Sequence, residues 1–242
     1  MRFLRLLCIT LALTAPALAA NLTVIMGQPT DHSITMGTRA DGAVELYFEY
    51  GPSPGNFTAQ TQIVIPTADP YATGFFVAQT LLDGLRSDSR YYYRALQRTA
   101  GSAEAFAVAK QGSFHTQRRP GSTFSFAVQG DSHPERERNM FHPQLYRQTL
   151  QAVAAAQPDF YVTSGDDFSV DTLQPPYTSS NVTGRYTLQL PYLDLLSRSS
   201  ALFLGTGNHE QTSLANYNRA PDANNSNMVP VWAQNARNLY YP

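Results

Sequence analysis

The sequence predicts a multidomain chain, an all-β sandwich followed by a β-α-β-α-β unit built on a parallel sheet. Three observations carry that expectation. Residues 22 to about 116 fall into short alternating or β-rich runs with no helical period, a polar Pro-Gly stretch follows, and beyond it strand-like runs alternate with helical ones.

In order, the first part reads as strands Leu22–Met26, Ser33–Thr38, Val44–Tyr50, Gln60–Ile65, Gly74–Thr80, Tyr91–Gln97 and Gln111–Thr116. Short strands in such close succession suit a sandwich. Asp41-Gly42, Gly51-Pro-Ser-Pro-Gly55, Asp83-Gly84 and Gly101-Ser102 separate them and supply the free or fixed φ that chain reversals need. Gln117-Arg-Arg-Pro-Gly-Ser122 reads as a linker, so the expected division is 21–118 for the sandwich, 119–123 for the linker and 124–242 for the second domain. In that domain Phe124–Gln129, Phe160–Thr163 and Ala201–Leu204 are the strands, and Pro143–Ala156 and Leu188–Ser197 the helices. The first helix should turn Leu145, Thr149, Val153 and Ala156 to one face and stop at Pro158, with Tyr192, Leu195 and Leu196 facing inward from the second. A further helix can begin near Pro230. Both crossovers should be right-handed, with the strands parallel.

Composition bounds the function. The 242 residues are 43% hydrophobic and 14% charged, too apolar for a disordered chain. Scattered charges with a net of −1 give no field for a phosphate backbone, which argues against nucleic-acid binding by charge. Arg2 and Arg5 precede an apolar run ending in Ala17-Leu18-Ala19-Ala20, the pattern of a signal peptide over residues 1–20 and hence of a secreted or periplasmic protein. No later stretch is long and apolar enough for a transmembrane helix. The single cysteine, Cys8, falls inside that leader, so thiolate metal sites and cysteine nucleophiles are excluded from the mature chain. Asn21, Asn56 and Asn181 each head an N-x-T sequon.

Each strand of the second unit ends in polar residues, at the sheet edge where ligands gather in open parallel sheets. The three ends are Gly130-Asp131-Ser132-His133, Gly165-Asp166-Asp167 and Gly207-Asn208-His209-Glu210. Singly, each reads more readily as a polar turn than as a metal site; together they offer carboxylate, imidazole and amide donors of the kind that suit Mn, Fe or Zn better than Ca.

In this order the residues resemble the calcineurin-like metallophosphoesterases, whose signature runs D-x-H, G-D and G-N-H-D/E before two later histidine motifs. The preceding part resembles the fibronectin type III-like domain at the amino end of purple acid phosphatases. Leu82-Asp-Gly-Leu85 with Tyr91 is similar to the E–F corner of such domains, Tyr91 standing as the corner tyrosine. The resemblance implies an immunoglobulin- or fibronectin III-like sandwich followed by the first β-α-β-α-β half of an α/β metallophosphatase fold. It further implies an exported hydrolase acting on a small-molecule phosphate ester, with two divalent or trivalent ions drawn from Mn, Fe or Zn.

Position by position, the resemblance implies that Asp131 and His133 bind one metal, Asp166 bridges two, Asn208 binds the second, and His209 is the catalytic histidine beside the phosphate, as general acid or simply to hold it. A pair of cations about 3.5–4 Å apart can activate a shared water and neutralise charge during in-line displacement. Purple acid phosphatases carry a ligand tyrosine soon after G-D, whereas Asp166 is followed here by Asp167, Phe168, Ser169, Val170 and Asp171. The likeness is therefore to the wider family. Glu210, Asp167 and Asp171 are expected around the metals or in solvent, and not on the metals. His32 and His115 read as structural, His142 as the start of a helix, Arg136 and Arg138 as solvated, and Trp232, Tyr240 and Tyr241 as core aromatics. The family's three later histidines have no counterpart after His209, so the expectation is a truncated fragment of low turnover. The alternative is a non-catalytic exported binding module or pseudoenzyme.

Overall fold

Side chains alternate buried and half-buried from Val44 through Tyr50, and that two-residue period places Val44, Leu46, Phe48 and Tyr50 on one face of a strand. The computed structural model describes residues 20–211 and 226–242, apart from residues 72, 138 and 171. The expected signal segment up to residue 19, Arg138 and Asp171 lie outside the described residues.

Two antiparallel sheets form the first part. One has the order β1 (Leu22–Gly27), β2 (Ile34–Ala40), β6 (Phe76–Leu82), β5 (Thr67–Ala68); the other runs β4 (Ala59–Gln60), β3 (Val44–Gly51), β7 (Arg90–Thr99), β8 (Ala107–His115). Val24, Met26, Ile34 and Met36 from the first meet Leu46, Phe48, Tyr93 and Phe114 from the second in one buried cluster. The backbone N–H of Arg86 donates to the Tyr91 hydroxyl at 3.0 Å, the upstream contact expected of a corner tyrosine.

A separate three-stranded sheet follows, with order β11 (Ala201–Leu204), β10 (Phe160–Thr163), β9 (Phe126–Gln129), every pair parallel. Helix α1 (Pro143–Ala156) connects β9 to β10, and α2 (Ser179–Tyr186) and α3 (Leu190–Leu193) lie between β10 and β11. Short α4 (Asn208–Gln211) follows β11, and α5 (Val229–Tyr240) starts with Pro230 in its first turn. Among the described residues no helix is long and apolar enough to cross a membrane.

Three expectations change here. The strand expected over Gln60–Ile65 is only the two-residue β4, with Val64 in an isolated bridge to Leu46 of β3. The stripe on α1 is Tyr146 and Leu150, while Leu145 is 60% exposed, because Tyr146 packs on Phe141 and Tyr192 in an aromatic group that outweighs a leucine. The single helix expected over Leu188–Ser197 is instead α3 followed by a 3-10 turn at Leu196–Arg198, and the longer helix is α2. Thr178 nucleates α2 through a reciprocal cap in which its hydroxyl accepts from Asn181 N–H and Asn181 accepts from Thr178 N–H.

The small sheet buries one face only. Tyr161 and Leu202 point into the core with Leu150, Phe168, Val182 and Tyr186. Phe124, Phe126, Val128 and Phe203 on the other face are 44–58% exposed, and the Phe126 and Phe160 rings stack at 5.3 Å. Parallel sheets ordinarily carry cover on both faces. A cleft of about 510 Å³ opens beside this face, lined by Arg118, Arg119, Phe124, Phe160, Val162 and Phe203.

Sandwich and small sheet are fused by buried polar links. Asp194 accepts from Val24 N–H at 2.8 Å and pairs with Lys110, and the Tyr93 hydroxyl, fully buried, donates to Ser197 O at 2.7 Å. Asp69 accepts from Tyr240 at the far end, and Tyr241 and Tyr240 are both buried. Gly112 sits where a Cβ would lie 2.6 Å from Ser197 O and 2.9 Å from Arg198 Cα, backbone atoms that cannot yield cheaply. Gly112→Ala should therefore lower stability by about 1–3 kcal/mol. Gly184→Ala, inside α2 with open space at its Cβ position, should raise it by about 0.5–1 kcal/mol. Urea melts of the two variants check both signs.

Candidate metal centre

The three parallel strands end side by side, and their following loops are stitched to one another. Asp131 N–H donates to Gly165 O and His133 N–H to Asp167 O, each at 3.1 Å, joining the first loop to the second. His209 N–H donates to Asp166 Oδ1 at 2.9 Å and Val170 N–H to His209 O at 2.8 Å, joining the second to the third.

Asp131, His133 and Asp166 all hold left-handed backbone, with φ of 56°, 44° and 56°. Asp and His tolerate this region better than most residues, yet each such position costs about 1–3 kcal/mol and persists only where its surroundings over-determine it. The glycines act mainly through closeness. A Cβ on Gly207 would collide with the Asp166 carboxylate, and one on Gly130 with the Ser164 hydroxyl; of the three, only Gly165 has positive φ, at 95°.

The geometry brings Asp131, His133, Asp166 and His209 into one neighbourhood. His133 Nε2 lies 3.8 Å from Asp131 Oδ1, a separation that one ion with bonds of about 2.0–2.2 Å can span. The other nitrogen, Nδ1, lies 3.0 Å from both Glu135 Oε1 and Ser169 Oγ. A histidine held at one nitrogen by a carboxylate, with the second turned towards another donor, is the arrangement that orients imidazole ligands. The His209 ring stands edge-on to His133 with centroids 5.3 Å apart. Asp131 and Asn208 are exposed, Asp166 and His209 half-buried, and His133 buried. Among the described residues no three His, Cys, Asp or Glu side chains close on one point as a finished cage does. The donors thus fit the edge of an oxygen- and nitrogen-preferring centre.

Three residues support this edge: Glu135 and Gln189 were not read as such from the sequence, whereas Glu210 was expected around the metals or in solvent. Glu135 is half-buried with its side chain covered, and its carboxyl lies below the usual range: burial raises it, but bonds from its own backbone, Ser169 and His133 outweigh that. Its signal was the acidic residue two places after His133, beyond Pro134. Gln189 is fully buried and donates to the Ser132 hydroxyl and Asp167 O, while accepting from Tyr146. No local pattern marks it. Glu210 is 2% exposed and accepts three backbone N–H groups. Arg136, expected in solvent, donates to Ser169 Oγ at 2.9 Å, and His142 caps α1 by accepting from Leu145 N–H.

No family model and no curated protein matches the chain. Solved structures do. PhoD superposes with a TM-score of 0.59 at 16% identity, over 92% of this chain and 47% of that one. Purple acid phosphatase PPD1 from yellow lupin (Lupinus luteus) seeds gives 0.57 at 16% identity, over 89% and 40%. The chain spans less than half the length of either, and the likeness shows a shared fold.

Asp167 beside this centre is buried, and its Oδ2 has no hydrogen-bond partner. Burial pushes its carboxyl up to about 7, with the Thr163 hydrogen bond opposing and Glu210 reinforcing the rise. The unfolded chain loses that proton near pH ~4, so the native state binds more protons between about 4 and 7 and stability falls as pH rises through that window. In metal-free protein, the urea midpoint should drop from pH 5 to pH 8. Asp167→Asn should flatten that drop; an equal slope in the variant would remove Asp167 as its source.

Proposed function

We propose that this chain is the front part of an exported metal-dependent phosphoesterase, with residues 21–118 as a fibronectin III-like sandwich, 119–123 as a linker and 124–242 as the first β-α-β-α-β half of the catalytic domain. The observation that carries this reading is the convergence of three strand-end loops on which Asp131, His133 and Asp166 are held in left-handed backbone and bonded loop to loop. Three of the six non-glycine residues with positive φ among the described residues fall at this one end of the parallel sheet, where ligands gather. The fold shared with two solved chains supports it, one of them a purple acid phosphatase.

In this reading Asp131 and His133 hold one ion, Asp166 bridges to a second, and Asn208 gives the second ion a neutral amide oxygen. When bound, Mn, Fe or Zn ions supply Lewis acidity and activate water near neutral pH. Glu135 keeps the His133 ring turned so that Nε2 faces Asp131. His209, beside His133, holds the phosphate or passes a proton to the leaving alkoxide. Asn208 limits the total negative charge that an ester substrate must approach. The bare aromatic face of the small sheet fits the same account, as a surface awaiting a further layer of the fold.

One observation favours the second reading, a non-catalytic exported binding module or pseudoenzyme: no three acidic or imidazole donors converge among the described residues. Metal content separates the two. The phosphoesterase reading predicts bound Mn²⁺ or Zn²⁺ that Asp166→Asn weakens at least tenfold, about 1.4 kcal/mol, together with little turnover of an aryl phosphate by these 242 residues. Metal content unchanged by the substitution would favour the binding module. Two stoichiometric ions with enzyme-like turnover would show that the centre needs nothing outside this chain.

A further inference from the structure

We infer that Glu210 is a positioning residue that locks the second and third metal loops into one rigid unit, an inference that rests on the metal-centre reading. Its Oε2 accepts Gly207 N–H at 2.9 Å, the backward reach of a third-position glutamate in a helix capping box. The same oxygen accepts Asp166 N–H at 3.0 Å, and Oε1 accepts Asp167 N–H at 2.6 Å. One carboxylate thus satisfies backbone donors on both loops, including the amide of the residue proposed to bridge the ions.

The Glu210 backbone is held from the side of α2 as well. Its side chain is buried, and the Tyr186 hydroxyl of α2 donates to Glu210 O at 3.3 Å. Asp166 sits at φ 56°, and a backbone in that region keeps its place only under outside constraint. An N–H bonded to a buried anion supplies such a constraint, since hydrogen bonds to charged groups are about twice as strong as neutral ones. Glu210 also explains why Gly207 and Asp166 can stand so close that a Cβ on Gly207 would collide with the Asp166 carboxylate. Serving three donors takes two acceptor oxygens, so an amide of the same shape cannot replace this carboxylate.

The test is Glu210→Gln, read by backbone amide exchange in metal-free protein and by Mn²⁺ affinity from the electron paramagnetic resonance of the free ion. The expected result is a folded variant in which exchange at Asp167, or at the Asp166 and Gly207 pair, speeds at least tenfold while α1 amides stay unchanged. Mn²⁺ affinity should fall about 10–100-fold, and Glu210→Asp, which keeps both oxygens on a shorter arm, should recover part of it. If the Gln variant does not fold, Glu210→Asp alone carries the test, with smaller shifts in the same two readouts. Unchanged exchange at all three amides would overturn the inference. So would altered exchange with wild-type Mn²⁺ affinity, which would leave Glu210 a structural clamp only. Wild-type protein with no Mn²⁺ affinity would instead remove the metal reading, and with it any metal role for Glu210, while the exchange data still decide whether it joins the loops.

Discussion

Three residues with side chains, Asp131, His133 and Asp166, occupy backbone conformations that L-amino acids avoid, and the loops around them exist in a form that keeps them there. No one of these loops can do this alone. The first borrows carbonyls from the second, and the second is tied to the third by its own carboxylate and by a buried glutamate. Parallel β9, β10 and β11 make the borrowing possible, because in-register strands end at the same level and deliver all three loops to one edge. The polar residues at that edge then face one another at ion-pair and hydrogen-bond distances.

The sandwich matters to this edge through stiffness. Asp194, just after α3, takes a bond from β1 and an ion pair from β8, and Tyr93 of β7 reaches the carbonyl of Ser197 just before β11. The segment that sets the height of β11, and so of the Asn208-His209 loop, is therefore braced against the first domain. At the other end α5 and Tyr241 close over α2, with the Tyr241 hydroxyl donating to Tyr186 O at 3.1 Å. Tyr186 in turn contacts Glu210, so packing at the chain's last described residues is continuous with the loops.

Much of this was legible in the sequence. The two-residue period of Val44–Tyr50 and the strand-like runs after the Pro-Gly turn anticipated most of the strands, and the glycine-flanked polar strand ends marked the loops that meet at one sheet edge. Tyr91 was found from its spacing to the Leu82–Leu85 corner. What escaped reading depended on burial that no local pattern encodes. Leu145 and Tyr146 are both hydrophobic, and only the aromatic company of Phe141 and Tyr192 decides which turns inward. Helix α2, with Thr183 and Gly184 in its middle, has poor intrinsic propensity and rests on the Thr178–Asn181 cap. Gln189 reads as an ordinary polar residue, and Glu210 as a group near the metals or in solvent with no partner named, until the fold surrounds them with backbone donors and acceptors. The left-handed backbone was not legible either: in the first loop it falls on Asp131 and His133 and not on Gly130, and in the second on both Gly165 and Asp166.

The central claim is that the three loops form one cation-binding edge. The most direct measurement is anomalous diffraction at the manganese edge from crystals of this chain soaked in Mn²⁺. The account predicts a peak within bonding distance of Asp131 and His133 Nε2, on the side facing Asp166. No peak at that edge, or a peak bound elsewhere on the molecule, would contradict it.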